Sequence, residues 1–469
     1  MIRFGTSGWR AVLGEEFTFD NARRVVTAIA RVARASGDPE RGILVASDTR
    51  FLNERFVDEA ARVLSREGVR PIVADRDVPT PVVAFTIKRV GALGGINFTA
   101  SHNPPQYNGI KFSTADGAPA LPEVTQAIEK EIGGTTDADA ATADALKPGS
   151  FETLDPRPLY LEELRKRIAQ ASLGKAKLRV AVDPRFGTAR GYLDDFLEES
   201  GVDVARLNNH RDPYFGGQSP QCDAPNLVGL GALVVKDGRR LGLATDGDAD
   251  RFGLVDADGT YINPNLCLML LADRLLKKKH DGRALARSVA TTHGLDAVAA
   301  SYGVKVLTTA VGFKYIGELL LENKILMGGE ESAGFTMEGH VPEKDGILAD
   351  LLLAEIAADS QATFAQLLED LFARVGRFVP KRADAHLDPA LAAALEMRLA
   401  QNPETFAGLK VDSIDRTDGQ KLIFPGNRWI LFRPSGTEPV VRIYAESSDE
   451  KETDRLLTEA KKYVLESEA

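Results

Sequence analysis

Three times along this chain a short, continuously apolar run gives way to an amphipathic helical stretch that stops at a Gly-Val pair, and this repeat constrains the fold more than any other feature. Gly42-Ile43-Leu44-Val45-Ala46-Ser47-Asp48 is followed by a helical pattern over residues 56–65, then Gly68-Val69 and a second apolar run at 71–74. Residues 178–182 with Asp183, a helical 189–199 and Gly201-Val202 form the second instance. Residues 288–291, a helical 295–301 and Gly303-Val304 form the third. Unbroken apolar runs suit strands buried on both faces, and glycine closes a helix in the left-handed C′ conformation, so each instance reads as a parallel βαβ unit. Three related α/β domains are expected.

At one domain per roughly 100–200 residues, a length of 469 leaves room for a fourth. Residues 133–150 are rich in Ala, Asp, Thr and Gly without hydrophobic periodicity, which predicts a linker. Further boundaries are expected after the turn Asp256-Ala257-Asp258-Gly259 and near residues 375–382, behind a helix over 364–373. Beyond that point the pattern changes. Apolar runs at 421–424 and 429–432 flank Pro425-Gly426-Asn427, a third run covers 440–445, and a charged helix spans 450–466. That is the pattern of a small antiparallel α+β domain. The expected layout is therefore 1–145, 146–258 and 259–374 as α/β domains, with 375–469 as the α+β domain.

Charge and cysteine usage narrow the class of partner. Sixty-eight acidic against 58 basic side chains leave a net charge of −10, so there is no bulk attraction to nucleic acid or anionic lipid, and any phosphate must be bound locally. No apolar run approaches the ~20 residues of a bilayer span; the nearest, at 266–272, soon meets Asp273 and Arg274. Cys222 and Cys267 stand in no ligand-like or disulfide-framework spacing and no leader-like segment follows Met1, so the cytoplasm is the expected compartment.

Five polar loops carry the residues with chemical potential. Thr99-Ala100-Ser101-His102-Asn103-Pro104 follows an apolar run, where a loop can present the Ser101 hydroxyl to a ligand, and it lacks the Gly-x-Ser-x-Gly order of a hydrolase elbow. Asp246-Gly247-Asp248-Ala249-Asp250-Arg251 places three carboxylates at alternate positions, able to converge on Mg²⁺, Ca²⁺ or Mn²⁺, and Arg251 beside them suits a phosphate. An EF-hand is excluded, because Arg251 holds the sixth position where Gly is needed and Ala257 the twelfth where Glu is needed. Three like charges this close repel unless a cation lies among them. In Gly328-Gly329-Glu330-Glu331-Ser332-Ala333-Gly334, Glu330 and Ser332 can face one way and take sugar hydroxyls; a capped helix with an acidic first turn explains the same residues equally well. Arg433-Pro434-Ser435-Gly436-Thr437-Glu438-Pro439 combines a forked donor, two hydroxyls and a glycine that lets backbone N–H groups approach an anion, without the order of a nucleotide P-loop. Phe4-Gly5-Thr6-Ser7-Gly8-Trp9-Arg10 adds a glycine-rich loop bearing a cation. An ordinary turn explains several of these taken singly, but not all five together. Gly5, Gly8, Gly247, Gly329 and Gly436 are expected where backbone must approach a ligand closely.

Thr-Ala-Ser-His-Asn-Pro, Asp-Gly-Asp-x-Asp-Arg, Gly-Glu-Glu-Ser and Arg-Pro-Ser-Gly-Thr-Glu-Pro, in this order over essentially the whole chain, resemble the motifs of the α-D-phosphohexomutase superfamily, the phosphoglucomutases and phosphomannomutases. The resemblance implies three related mixed α/β domains plus a C-terminal α+β domain around a central active-site cleft. It implies a transferable phosphate on Ser101, and Mg²⁺ held by Asp246, Asp248, Asp250 and a Ser101 phosphate oxygen. It places two ring hydroxyls on Glu330 and Ser332, and the non-reacting phosphate on Arg433, Ser435, Gly436 and Thr437. Arg10, His102, Lys111 of Asn108-Gly109-Ile110-Lys111, and Lys344 match polar residues lining the reaction centre, among which the general acid/base is sought. Gly334 stands where some dual-specific relatives carry His, and Ala310 where many carry Pro.

The implied reaction interconverts hexose 1-phosphate and hexose 6-phosphate, with hexose 1,6-bisphosphate as activator and intermediate. Direct transfer between the two positions is geometrically closed within one bound molecule, so Ser101 carries the phosphate while the bisphosphate turns end over end. The implied partners are small-molecule sugar phosphates, with no nucleic acid and no membrane, and the chain is expected to be a monomer or homodimer. A Mg²⁺-dependent sugar phosphatase would leave the sugar loop and the clamp superfluous. A non-catalytic sugar-phosphate-binding regulator would predict a decayed nucleophile or acid triad, and neither is decayed. Glu-Glu-Ser with Glu343-Lys344-Asp345-Gly346 looks more like the glucose branch than the glucosamine branch, where the middle position is commonly Gln.

Overall fold

The computed structural model describes residues 2–144, 151–435 and 440–465. Four principal sheets follow one another along the chain. The first has the order Trp9–Val12, Tyr107–Thr114, Gly94–Phe98, Ile43–Ser47, Pro71–Ala74, Glu152–Leu154. The second runs Tyr261–Ile262, Phe252–Asp256, Leu241–Thr245, Arg179–Asp183, Asp203–Arg206, and the third Gly334–Met337, Ile325–Glu330, Ala284–Ser288, Val306–Thr309. A common unit lies inside all three. One strand sits between two parallel neighbours, and the later neighbour turns back through a hairpin into an antiparallel strand. The tips of these three hairpins are residues 99–106, 246–251 and 331–333, so the serine, acidic and Glu-x-Ser motifs occupy one topological place in three repeats.

The helix stops behave as the repeat predicts. Gly68, Gly201 and Gly303 have φ of 73°, 83° and 70°. The valine after each donates its N–H back into the helix, Val69 to Leu64, Val202 to Leu197 and Val304 to Ala299. An L side chain at any of the three positions would be strained.

Two local expectations need correction. The third repeat's strand is Ala284–Ser288, so most of the run expected at 288–291 lies beyond it. Arg287 disguises that strand; its Nε donates to Asp296 at 2.6 Å, which allows a cation into a buried strand. The expected linker is also shorter. Asp137–Ala140 forms a helical turn docked on the first domain, with Arg31 to Asp139 at 2.6 Å and Arg23 to the Ala140 carbonyl at 3.0 Å. Residues 145–150 lie outside the described residues, and Glu152–Leu154 then pairs in parallel with Pro71–Ala74, so the first sheet reaches past residue 145.

The C-terminal sheet is antiparallel throughout, in the order Val379–His386, Val440–Ser447, Arg428–Pro434, Gln420–Phe424, Ser413–Asp415. Helix Glu450–Leu465 packs on it. One apolar core runs through the first three units, joining Leu44, Leu161, Leu243, Leu268 and Leu348. Helix Gly346–Asp359 is central to it, buried on nearly every side and packed on strands of both the second and third sheets. No helix among the described residues is long and apolar enough to cross a membrane. Both cysteines are free and buried.

That central helix contains a built-in cost. Asp350 is fully buried and neither carboxyl oxygen has a hydrogen-bond partner. Burial, with Asp345 nearby, pushes its pKa well above the usual carboxylate range. A raised folded-state pKa contributes stability below the unfolded value, about 4, and that contribution is lost as pH rises towards the folded value. Asp350→Asn is therefore expected to raise the apparent melting temperature by about 2–4 °C near pH 8, with a smaller gain near pH 5. Thermal scans at the two pH values check this; an equal gap at both would contradict it.

Candidate active site

Ser101 opens the first hairpin tip, directly after Gly94–Phe98 and the pair Thr99-Ala100. It is buried, with φ 49°, a left-handed conformation that costs a residue with a side chain on the order of 1–3 kcal/mol. The surroundings over-determine it. The buried Arg50 guanidinium donates to four loop carbonyls, those of Ser101 (2.8 Å), Asn103 (2.6 Å), Pro104 (2.9 Å) and Tyr107 (2.8 Å). Its Nε meets Asp48 at 3.1 Å. Thr99 Oγ1 accepts the Ser101 N–H at 2.8 Å and donates to Asp48 at 2.6 Å. Burial lifts Asp48 to about 6 despite the adjacent guanidinium. Held in this way, the Ser101 Oγ donates to Asp246 Oδ2 at 2.8 Å.

Asp246, Asp248 and Asp250 come from the second hairpin tip and are fully buried. One oxygen of each lies within 4.8 Å of the others. Gly247 makes the approach to the first domain feasible: a Cβ there would meet the Ser101 carbonyl at 3.0 Å. Thr80 Oγ1 donates to Asp248 at 2.6 Å from the first domain. Lys111 Nζ donates to Asp248 at 2.6 Å and to Asp250 at 2.8 Å, and Lys344 stands 2.9 Å from Asp250. Arg251 Nε lies 3.9 Å from Asp246 and 3.8 Å from Asp250. The remaining oxygens, Asp248 Oδ1 and Asp250 Oδ1, are buried without a hydrogen-bond partner. Orphaned buried carboxylate oxygens converging from one loop are the donor set of a hard divalent cation, so these residues fit Mg²⁺.

Electrostatics set the protonation of this centre. Burial and the two neighbouring carboxylates push Asp246 well up. Burial also opposes charge on Asp250, but Lys111 and Lys344 outweigh it and hold this group well below the usual range. The same balance, burial against Asp248 and Asp250, keeps the Lys111 ammonium above the ordinary lysine range. Burial, with Arg251 and Arg10, pushes the His102 imidazole well down. Arg10 reaches the same loop through Asn103 Oδ1 at 2.8 Å.

The third hairpin settles the choice left open at Glu330-Glu331-Ser332. Glu330 ends strand Ile325–Glu330 and pairs with Gly334, so the segment is a β-turn region and not a helix cap. Glu330 Oε1 accepts the Gly312 N–H at 2.7 Å, and burial together with Glu331 lifts its pKa to about 7. Glu331 instead accepts the Ser288 hydroxyl at 3.0 Å. Ser332 and Arg251 line a cavity of about 160 Å³ whose wall also includes Glu331, Arg382 and Tyr444. At Gly334 a Cβ would meet Lys344 Cδ at 2.6 Å, so the lysine stem fills the space a side chain there would need. His340 and Asp345 of the downstream segment are structural: they pair at 2.6 Å and Tyr160 donates to Asp345 at 2.6 Å.

Arg433 stands on strand Arg428–Pro434 with its Nε 2.8 Å from Asp418. The Ser435 N–H donates to the Val440 carbonyl at 2.8 Å. Gly436 and Thr437 lie outside the described residues. Gly247 is not alone among the glycines expected to face a ligand in facing protein instead. A Cβ on Gly8 would meet the Ile110 carbonyl at 2.5 Å, and one on Gly329, inside a strand, would meet Leu268 at 2.5 Å.

Asp48, Arg50, Thr80 and Asp418 are not among the residues expected from the sequence. A signal for the first two was present in the repeat. Asp48-Thr49-Arg50 and Asp183-Pro184-Arg185 end the equivalent strands of the first two units, and each arginine N–H bonds back to its aspartate, at 2.9 and 2.8 Å. Arg185 likewise gathers loop carbonyls, those of Ser219 and Asn226, each at 3.0 Å, and Ser219 Oγ donates to the His102 carbonyl at 2.6 Å.

Comparison with known proteins agrees with this geometry. Profiles of phosphoglucomutase/phosphomannomutase alpha/beta/alpha domains I, II and III match residues 1–139, 158–259 and 263–375, and that of the C-terminal domain matches 381–462. A phosphoglucomutase/phosphomannomutase of Thermococcus kodakarensis is 32% identical over 97% of this chain and 96% of its own length. A phosphoglucosamine mutase of Carboxydothermus hydrogenoformans is 28% identical, with 97% of each chain covered. A solved structure from Thermus thermophilus, assigned as a phosphomannomutase, superposes with a TM-score of 0.85 at 34% identity, covering 99% of both chains. With all four domains matched in order and the three hairpin tips meeting at one centre, the chain belongs to the phosphoglucomutase/phosphomannomutase family and is a phosphohexomutase.

Proposed function

We propose that this phosphohexomutase acts on glucose or mannose phosphates, carrying the phosphoryl group on Ser101 and retaining a hexose 1,6-bisphosphate that reorients between two transfers. The observation that carries the reading is the meeting of Ser101 Oγ with Asp246 at 2.8 Å, inside a centre walled by Lys111, Lys344 and Arg251. Asp246, Asp248 and Asp250 would hold Mg²⁺ together with a phosphate oxygen on Ser101. Bound there, the ion supplies neutralisation of phosphoryl charge. Three carboxylates already meet three cations, so an arriving dication is balanced by the dianion on Ser101.

In the first half-reaction the Ser101 O–P bond breaks as a bond from phosphorus to a sugar hydroxyl oxygen forms, the hydroxyl proton leaving to a neighbouring acceptor and the Ser101 oxygen taking one up. In the second, after reorientation, the O–P bond at the other end of the sugar breaks as the Ser101 oxygen gives up its proton and bonds that phosphorus, and the sugar oxygen takes up a proton. Lys111, held protonated, donates hydrogen bonds to charge that develops in this step and does not act as the base. Glu330 and Ser332 take ring hydroxyls, while Arg433 with the loop from Ser435 through Gly436 and Thr437 takes the phosphate that is not reacting. Burial of Ser101 keeps water from the phosphoserine, which a mutase needs and a phosphatase does not.

The decisive assay compares glucose 1-phosphate, mannose 1-phosphate and glucosamine 1-phosphate, primed with hexose 1,6-bisphosphate and followed by both 6-phosphate formation and phosphate release. Turnover of glucose or mannose phosphate without net phosphate release is expected. Preference for glucosamine 1-phosphate would overturn the substrate, and stoichiometric phosphate release would overturn the mechanism.

Glu330 gives this reading a pH signature. Above its value of about 7 the carboxylate accepts hydroxyl hydrogen bonds, and below it the protonated group loses that capacity. KM is expected to rise about 10-fold between pH 8 and pH 6 beyond any change in Glu330→Gln, a comparison that cancels the substrate phosphate's own titration near 6. Parallel KM profiles for the two proteins would remove Glu330 from the sugar site.

A further inference from the structure

Between strand Val306–Thr309 and helix Phe313–Leu321 two consecutive backbone amides hold carboxylates from two different domains. The Gly312 N–H donates to Glu330 Oε1 at 2.7 Å. The Val311 N–H donates to Asp418 Oδ2 at 3.0 Å, and Asp418 lies in the turn between strands Ser413–Asp415 and Gln420–Phe424 of the C-terminal sheet. The same Asp418 oxygen accepts Arg433 Nε at 2.8 Å. One short segment thus sets the position of a carboxylate on the sugar hairpin and, through Asp418, of a guanidinium on the C-terminal domain. Gly312 adopts φ 137°, and a Cβ there would meet Thr6 of the first domain at 3.1 Å, so the segment is hemmed in on its other side as well.

We propose that Asp418 is a positioning residue for substrate binding: it fixes Arg433 by its Nε edge, its own carboxylate being held in place by the Val311 N–H. This rests on the proposed function, in which Arg433 takes the non-reacting phosphate and Glu330 the ring hydroxyls. A guanidinium offers donors on three nitrogens in a rigid plane. Occupying Nε orients that plane and leaves NH1 and NH2 for a phosphate. The same carboxylate oxygen accepts the Val311 N–H, so the place of Arg433 is set by contact with the segment whose next amide holds Glu330. Without Asp418, Arg433 retains its charge but loses both its orientation and its tie to the third domain.

The test uses the full chain with Asp418→Ala and the conservative Asp418→Asn, which keeps an acceptor oxygen at the same place. The side chain stands in a turn and is 24% exposed, so loss of folding is not expected. Asp418→Ala is expected to raise KM for glucose 1-phosphate, and the dissociation constant of inorganic phosphate measured by titration calorimetry, by about 10- to 100-fold, with kcat changed far less. Asp418→Asn recovers most of the loss. In an Arg433→Ala background, Asp418→Ala adds no further loss, because its effect runs through Arg433.

Unchanged KM, or a loss confined to thermal stability, overturns the proposal. A fall in KM also overturns it, since Asp418 would then be competing with phosphate for Arg433. An Asp418 effect that persists in the Arg433→Ala background overturns it as well. Failure of the proposed function is seen separately, as absent turnover by the unmodified protein, and the phosphate titration still reads Asp418 in that event.

Discussion

Ser101→Ala is expected to lower mutase turnover by on the order of 10⁴- to 10⁶-fold while leaving sugar-phosphate affinity within about threefold. The change removes a single oxygen, the one that donates to Asp246 at 2.8 Å. It leaves the backbone at φ 49° and the Arg50 bonds to the loop carbonyls as they were, so the hairpin tip keeps its shape. Glu330 and Arg433 are untouched, and binding persists. Asp246 loses its hydroxyl partner but remains next to Arg251, whose backbone N–H donates to Asp246 Oδ1 at 3.1 Å. Steady-state kinetics with titration of glucose 1-phosphate separate the two effects. Turnover at the unmodified rate would remove Ser101 from the carrier role, and loss of affinity equal to loss of turnover would show that the loop itself had collapsed.

Arg50→Met is expected to cost about 10²-fold in kcat although Arg50 contacts neither the acid triad nor the sugar hairpin. Four carbonyls of the Ser101 loop lose their donor at once, and the left-handed backbone at Ser101 loses the contacts that hold it against its strain. The same substitution strands the buried Asp48 carboxylate, and breaking a buried pair in this way destabilises by about 3–5 kcal/mol. Stability and positioning are separated by a double variant, Asp48→Asn with Arg50→Met, in which no charge is left unpaired. It should regain much of the melting temperature but little of the turnover. Turnover restored together with stability would reduce Arg50 to a fold-stabilising residue.

The contrast between these two residues shows what could be read from the chain alone. The three aspartates stood out because like charges so close call for a cation, whereas Ser101 stood out only as one of an ordered set of five polar loops. The three βαβ units were legible because burial on both faces and left-handed glycines leave local marks, as Gly68, Gly201 and Gly303 confirm. Arg50 left only the Asp-x-Arg repeat it shares with Arg185, and Asp418 left no mark, since their partners stand far along the chain: Arg50 serves carbonyls at 101–107, and Asp418 a backbone amide at 311. Arg287 shows the opposite failure. A buried ion pair with Asp296 let a charge sit inside a strand and moved the apparent run beyond its true end. The equivalence of the three hairpin tips was hidden as well, because topology and not sequence relates a serine loop, an acidic loop and a Glu-x-Ser loop. Gly334 is the same lesson at atomic scale: that Lys344 fills the space above it follows from the packing of residues ten positions apart.

The central claim is that Ser101 carries the phosphoryl group between the two ends of the sugar. It is tested most directly by incubating the protein with glucose 1,6-bisphosphate and mapping phosphate by intact-mass and peptide mass spectrometry, alongside the coupled mutase assay. The predicted result is about one phosphate per chain, located on Ser101, absent from Ser101→Ala, and accompanied by conversion of glucose 1-phosphate to glucose 6-phosphate. Phosphate on a different residue, or full turnover by a chain in which Ser101 never acquires phosphate, would contradict it.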